Sequence, residues 1–183
     1  MSRRSEVLEL IRARGYERRD EPFQLTSGAT SYDYIDGKRA ISDGESLRLV
    51  AQAMVDDAQD AGIEFDAVGG LTMGADPLAH AISLLTGKGW FSVRKERKEH
   101  GKQHLVEGSP LPPGSRVLLV DDVVTTGKST LQALDAIESL DGVEVVLAVS
   151  IVDRGDQAAS ALSARGVRYR PLLTYRDLGI DPV

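Results

Sequence analysis

Residues 117 to 130 read VLLVDDVVTTGKST. The second half, Gly127-Lys128-Ser129, has the form of the end of a G-x-x-x-x-G-K-[ST] turn, which wraps a nucleoside triphosphate. Asp122 stands where that pattern has its first glycine, and Asp121 precedes it. A triphosphate would set its charge against two carboxylates at about 4 Å, where like charges repel. A single phosphate would not. Residues 125–129 fall between an apolar run and a helical pattern, where free backbone N–H groups and the positive end of a helix dipole can hold one anion. Gly127 lets the backbone come close, and Thr125, Thr126 and Ser129 add hydroxyl donors. With a phosphate so held, Asp121 and Asp122 lie beside an attached sugar, accepting hydrogen bonds from vicinal hydroxyls and favouring positive charge on the ring. The stretch suits a ribose 5-phosphate. Its bland alternative is a strand-to-helix connection with ordinary caps; strand, paired carboxylates, glycine and helix all falling in register favours the phosphate.

Two further stretches carry candidate chemistry. RKERKEHG, residues 94–101, pools Arg94, Lys95, Arg97 and Lys98, with Lys102 just beyond, in a chain that is otherwise acidic. Most charge runs are solvated loops, but this one directly follows a predicted strand and has the charge a pyrophosphate requires. A loop of that length could also close over a reactive sugar and exclude water. FQLTSGATSYDYIDGK, residues 23–38, breaks its β-formers at Ser27-Gly28-Ala29-Thr30 and reads as a hairpin, either plain or ligand-facing.

Alternating strands and helices must position these residues. A helix is expected over about 3–14, then the hairpin, then a helix from an N-cap at Ser42, with Glu45 three residues on, to Gly62. Strands follow at 65–72, 90–96, 116–123, 143–153 and 167–175, with helices at 76–87, 129–142 and 157–166 between them. The segment between 96 and 116 reads as a polar loop, its end marked by Pro110 and Pro112-Pro113. Near-continuous apolar strands alternating with helices describe a mostly parallel sheet covered on both faces, an α/β fold. Ligands in such sheets sit beyond the carboxyl ends of the strands, and those ends carry GGLTMGAD, RKERKEHG, DDVVTTGKST and DRGD.

Composition bounds the function. The 183 residues, 42% hydrophobic and 27% charged, suit one globular domain. A net charge of -6 disfavours general nucleic-acid binding and an anionic membrane surface, so an anionic ligand needs a local basic patch. The absence of cysteine removes disulfides, thiol nucleophiles and thiolate metal sites, and fits a reducing compartment. No apolar run is long enough for a signal peptide or a membrane span. The expectation is a soluble, cytoplasmic protein.

VLLVDDVVTTGKST resembles the 5-phosphoribosyl-1-pyrophosphate (PRPP) signature of the type I phosphoribosyltransferases. RKERKEHG resembles the R-K-x-x-K-x-H-G mobile loop of the orotate phosphoribosyltransferases, and residues 23–38 resemble their hood segment, written around S-G-x-x-S-x-x-Y. The resemblance covers nearly the whole chain in the expected order. It implies the type I fold in a single domain, with a small hood over about 1–40 and a mobile lid loop at about 95–110. It implies that Asp121 and Asp122 hold the ribose hydroxyls, that Val123, Val124, Thr125, Thr126, Gly127, Lys128 and Ser129 wrap the 5-phosphate, and that Arg94, Lys95, Lys98 and His100 meet the pyrophosphate. His100 is either a proton donor or a hydrogen-bond donor to pyrophosphate, the second being favoured. Thr125 and Arg154 would contact orotate, Arg154 through a forked pair of bonds to its carboxylate, with Tyr34 and Ile35 covering the base and residues 69–76 forming the pyrophosphate loop. Mg²⁺ would bridge pyrophosphate and ribose oxygens without a protein cage. A homodimer sharing lid residues between subunits is implied.

Two departures stand out: Thr26 where many members have Lys, and Thr72-Met73-Gly74 where many have a basic pair. Met73 is also open to a reading as core packing. Rival readings are a phosphoribosyltransferase for another base, which is not expected to keep both hood and lid motifs, and a PRPP-sensing regulator that binds nucleic acid, which needs a basic outer face. A triphosphate-hydrolysing P-loop enzyme would need glycine at 122.

Overall fold

The structure, a computed structural model, describes residues 2–25, 28–96 and 105–183. A six-stranded sheet has the order β5-β4-β3-β6-β7-β8. Its strands are β3 (Ala67–Leu71), β4 (Gly89–Val93), β5 (Val106–Gly108), β6 (Arg116–Val124), β7 (Glu144–Asp153) and β8 (Tyr169–Thr174). All neighbours are parallel except β4 and β5. A separate antiparallel hairpin, β1 (Tyr16–Gln24) with β2 (Thr30–Ile35), lies within the segment, about 1–40, expected as the hood.

The alternation of β6 explains the layers. Successive side chains on a strand point to opposite faces. Leu118 and Val120 join a core with Val50 and Met54 of α3 (Gly44–Asp60) and with Leu78 and Ile82 of α4 (Asp76–Thr86). Val117 and Leu119 join the other, with Leu134 and Ile137 of α5 (Lys128–Glu138) and Leu162 of α6 (Gln157–Ser163). From β3 the chain crosses through α4 to β4 on one side; from β6 it crosses through α5 to β7 on the other. The two crossovers run in opposite directions, so one hand of connection places α4 and α5 on opposite faces. The strand order therefore reverses between β3 and β6, and a crevice opens at their carboxyl ends.

Several expected boundaries move. The first helix is α1 (Arg3–Leu10), continued by a π-helical turn at Ile11–Gly15, and its Val7 and Ile11 pack into the body core. Asp43, not Ser42, caps α3, accepting from the backbone of Glu45 and Ser46. The carboxylate reaches both free N–H groups, whereas Ser42 stands one residue too early. β4 ends at Val93, before the basic run, and β8 ends at Thr174, which opens a short helix α7 (Tyr175–Leu178) through a capping box with Asp177. Residues 106–108, expected in a polar loop, pair as the edge strand β5 with Val93, Ser92 and Phe91. Three residues are too few to show a strand's period. The short helix α2 (Gly37–Ala40), capped by Asp36, was not expected either.

Candidate active site

The reversal crevice holds a cavity of about 590 Å³. Its wall comprises Asp121 through Thr130, Leu71 through Gly74, Lys95, and Leu25 and Lys38 from the hood side. Every residue assigned above to the phosphate turn lies there. Gly127 adopts φ 79° and precedes Lys128, the first residue of α5, which no side chain caps. A Cβ on Gly127 would stand 3.2 Å from both Cα and Cβ of Ala158, so glycine is required by conformation and by space. The uncapped first turn of α5 leaves N–H donors and a positive dipole end for an anion.

The two carboxylates are both buried, at 7% and 8% exposure, yet they have different neighbours. Asp121 turns toward α5, where the Thr130 hydroxyl lies 3.4 Å from its Oδ2, and its Oδ1 accepts from the Asp122 amide. Burial, and then the charge of Asp122, push its carboxyl up to about 7. Asp122 turns toward the hood, where its Oδ1 accepts from the Val123 amide and its Oδ2 pairs with Lys38 Nζ at 3.2 Å. Gly74 packs against both: a Cβ there would fall 2.6 Å from Asp122 Oδ1 and 2.9 Å from Asp121 Oδ1. The peptide bond Thr72-Met73 in this loop is cis. Met73 is 70% exposed on the cavity wall and takes no part in the core.

The other expected residues lie around this cavity and do not line it. Arg154, 2% exposed, follows β7; its Nη2 donates to the Ser31 hydroxyl on β2 at 3.2 Å, and its Nε has no partner among the described residues. Burial lowers its affinity for a proton, and the nearby charge of Asp33 opposes that. Asp33 is itself buried and accepts from the Tyr16 hydroxyl at 2.8 Å and from Arg18 at 2.9 Å. Tyr34 packs edge-on against Phe23 and under the Arg19 guanidinium. Ile35 is buried in the body core, which leaves only its backbone to face a ligand. Arg94 pairs with Glu107 across β4 and β5 at 3.5 Å. Lys98, His100, Thr26, Arg97 and Lys102 lie outside the described residues.

Lys38, Gly74 and the set of Tyr16, Ser31 and Asp33 were not singled out in the sequence. Gly74 stands in the quoted GGLTMGAD, and Lys38 and Asp33 in the quoted hood segment, but no spacing connects Lys38 with a carboxylate 84 residues away. Among the described residues no group of three or more metal-ligating side chains occurs, and no helix is long and apolar enough to cross a membrane.

Residues 39–168 match the family model of the phosphoribosyl transferase domain. The chain is 41% identical over 180 residues to the orotate phosphoribosyltransferase of Corynebacterium glutamicum, covering 97% of this chain and 95% of that protein. It is 42% identical over 156 residues to that of Pyrococcus abyssi, 85% of each chain being covered. The Mycobacterium tuberculosis orotate phosphoribosyltransferase, solved in complex with PRPP, superposes with a TM-score of 0.80 at 39% identity, covering 98% of this chain and 100% of that one. With the acidic pair and the phosphate turn meeting in one crevice, and with identity of this extent, the chain belongs to the orotate phosphoribosyltransferases of the phosphoribosyl transferase domain family.

Proposed function

We infer that this protein transfers the 5-phosphoribosyl group of PRPP to orotate, giving orotidine 5'-monophosphate and pyrophosphate, a step of pyrimidine nucleotide synthesis. The observation that carries the reading is the shared cavity, in which two buried carboxylates stand directly upstream of a glycine-bearing turn at an uncapped helix start. The 5-phosphate sits on Val123 to Ser129, and the ribose hydroxyls reach Asp121 and Asp122. A ring nitrogen of orotate forms the new bond to C1 of the ribose as the C1–O bond breaks, and the electron pair leaves with pyrophosphate. Orotate is already anionic, so no strong protein base is needed. The protein's share is to hold the two anions in line and to favour the cationic ring with its carboxylates. The crowded, negatively charged acid pair stabilises that cation most when both members are ionised, so the elevated proton affinity of Asp121 sets an acid limit on activity.

Arg154 reads the orotate carboxylate. Its buried guanidinium has an unused Nε donor and a fork geometry that matches a carboxylate. Lys95, Arg94 and the lid residues Lys98 and His100 meet the leaving pyrophosphate. Mg²⁺ fits this site as an ion carried in by substrate oxygens, because each carboxylate already commits Oδ1 to a backbone amide and Lys38 occupies Oδ2 of Asp122. When bound, the ion adds positive charge at the pyrophosphate. The homodimer is supported by Leu84 and Leu85 on α4 and Trp90 on β4, large apolar side chains left exposed. The protein works in the cytoplasm.

The test is the fall in orotate absorbance on adding PRPP and Mg²⁺, with uracil, nicotinate, hypoxanthine and adenine followed in parallel by pyrophosphate release. Turnover with orotate, abolished in Asp122→Ala and Lys98→Ala, is expected. Turnover with another base alone would overturn the role of Arg154, and PRPP binding without any turnover would point to a sensor.

A further inference from the structure

We propose that Lys38 is a PRPP-binding residue, held over the cavity by Asp122 in the free protein and donated to the anionic side of the substrate when the ribose hydroxyls engage that carboxylate. The proposal rests on the PRPP reading of the cavity.

Lys38 belongs to the hood's last short helix, and the site it reaches is built by close packing. A Cβ on Gly37 would fall 2.9 Å from Asp122 Cβ and 3.1 Å from Val123 Cγ2, so only glycine lets this turn of backbone sit against the acidic pair. Asp36 fixes the turn from the other side, accepting from the Arg39 amide at 3.0 Å. Lys38 then lines the cavity with its ammonium 3.2 Å from Asp122 Oδ2. The charge of Asp122 is the main reason its proton is held more tightly than usual.

The chemistry follows from donor counts. Asp122 Oδ1 already accepts a backbone N–H, so Oδ2 is the oxygen left for a sugar hydroxyl, and Lys38 occupies it. An ammonium has three donors and a flexible four-carbon stem. It can yield one position to a hydroxyl and turn another N–H toward a phosphate oxygen without leaving the carboxylate's field. The side chain is a little over half exposed, which leaves its ammonium end room to turn. Lys128 and the uncapped start of α5 offer positive charge where the 5-phosphate binds, and Lys38 adds a cation directly beside the acidic pair. Lys38 and Lys95 both line the cavity.

The experiment uses the full-length enzyme and two variants. Lys38→Met keeps the stem and removes the charge; Lys38→Arg keeps the charge. Initial rates are measured with PRPP varied at saturating orotate and the reverse, across pH 5.5 to 9, with PRPP affinity followed by calorimetry. Lys38→Met is expected to raise the KM for PRPP about tenfold or more, the scale of one lost charged hydrogen bond, with the KM for orotate within about twofold. Lys38→Arg is expected to restore most of it. An unchanged KM and affinity for PRPP, or equal losses for both substrates that Lys38→Arg fails to restore, overturn the proposal. A wild-type protein that neither binds nor turns over PRPP overturns the reading beneath it, a result seen before any variant is made.

Discussion

The phosphate turn and the hood face the same cavity but are built on different principles. From Val123 to Ser129 the protein offers backbone: a strand end fixed by ladder bonds to β7, a left-handed glycine wedged against α6, and a helix start with nothing capping it. The hood offers side chains from a two-stranded hairpin whose register breaks between Arg18 and Phe23. It meets the body through Ile35 in the core, through Ser31 to Arg154, and, in the α2 turn that follows, through Gly37 and Lys38 to Asp122. An isolated hairpin is marginal in water, so the hood's position depends on those contacts. Under the proposed reading the labour is divided: the turn on the body would hold the phosphate, and Arg154, bonded to Ser31 under the hairpin, would hold the base.

Three substitutions test this division, in order of expected effect. Gly127→Ala attacks the rigid half: it places a β-carbon against Ala158 in a conformation that costs an L-residue about 1 to 2 kcal/mol. PRPP affinity measured by calorimetry should fall at least about tenfold, together with a lower Tm. A normal affinity would mean that the turn is not held by its backbone.

Arg154→Lys attacks the hood-facing half. Lysine keeps the charge and loses the fork, so the KM for orotate should rise about tenfold while that for PRPP stays within about twofold, following the loss of one charge-assisted bond. Equal changes in both constants would erase the proposed separation between the two regions.

The third substitution asks how much stability the rigid half gives up for its chemistry. The Asp121 carboxyl is raised from 3.8 to about 7 by burial and by Asp122. Between those values the folded protein holds a proton that the unfolded chain releases. The residue's contribution to stability is therefore complete below pH 4, is lost as pH rises through 7, and is absent above. Asp121→Asn keeps an acceptor for the Asp122 amide and cannot ionise. Thermal melts should show a gain in Tm of a few degrees at pH 8, and a smaller gain or none at pH 5. The same gain at both values would show that Asp121 carries no unusual charge cost.

The sequence was a good guide where function is local. Asp121, Asp122, the threonines and Gly127 are neighbours in the chain, and a strand running into a helix is enough to bring them to one cavity wall. Burial periodicity placed β3, β6 and β7 and their covering helices for the same reason. Short pieces escaped: β5 spans only Val106–Gly108, and α2 only Gly37–Ala40, each too brief to show a period and each held by what it pairs with. Met73 was open to a core reading because side-chain chemistry alone does not say which way a loop turns it.

What the sequence by itself determined was the order of elements, the acidic pair and the glycine-bearing turn after it, because hydrophobic period and residue-by-residue spacing are properties of adjacent positions. Tertiary structure alone decided that Asp121 and Asp122, adjacent in sequence, differ in character. Consecutive residues of a strand face opposite layers, so one carboxylate is buried against Thr130 and the other meets Lys38, 84 residues away. Burial and charge act through space, and only the folded chain fixes those distances.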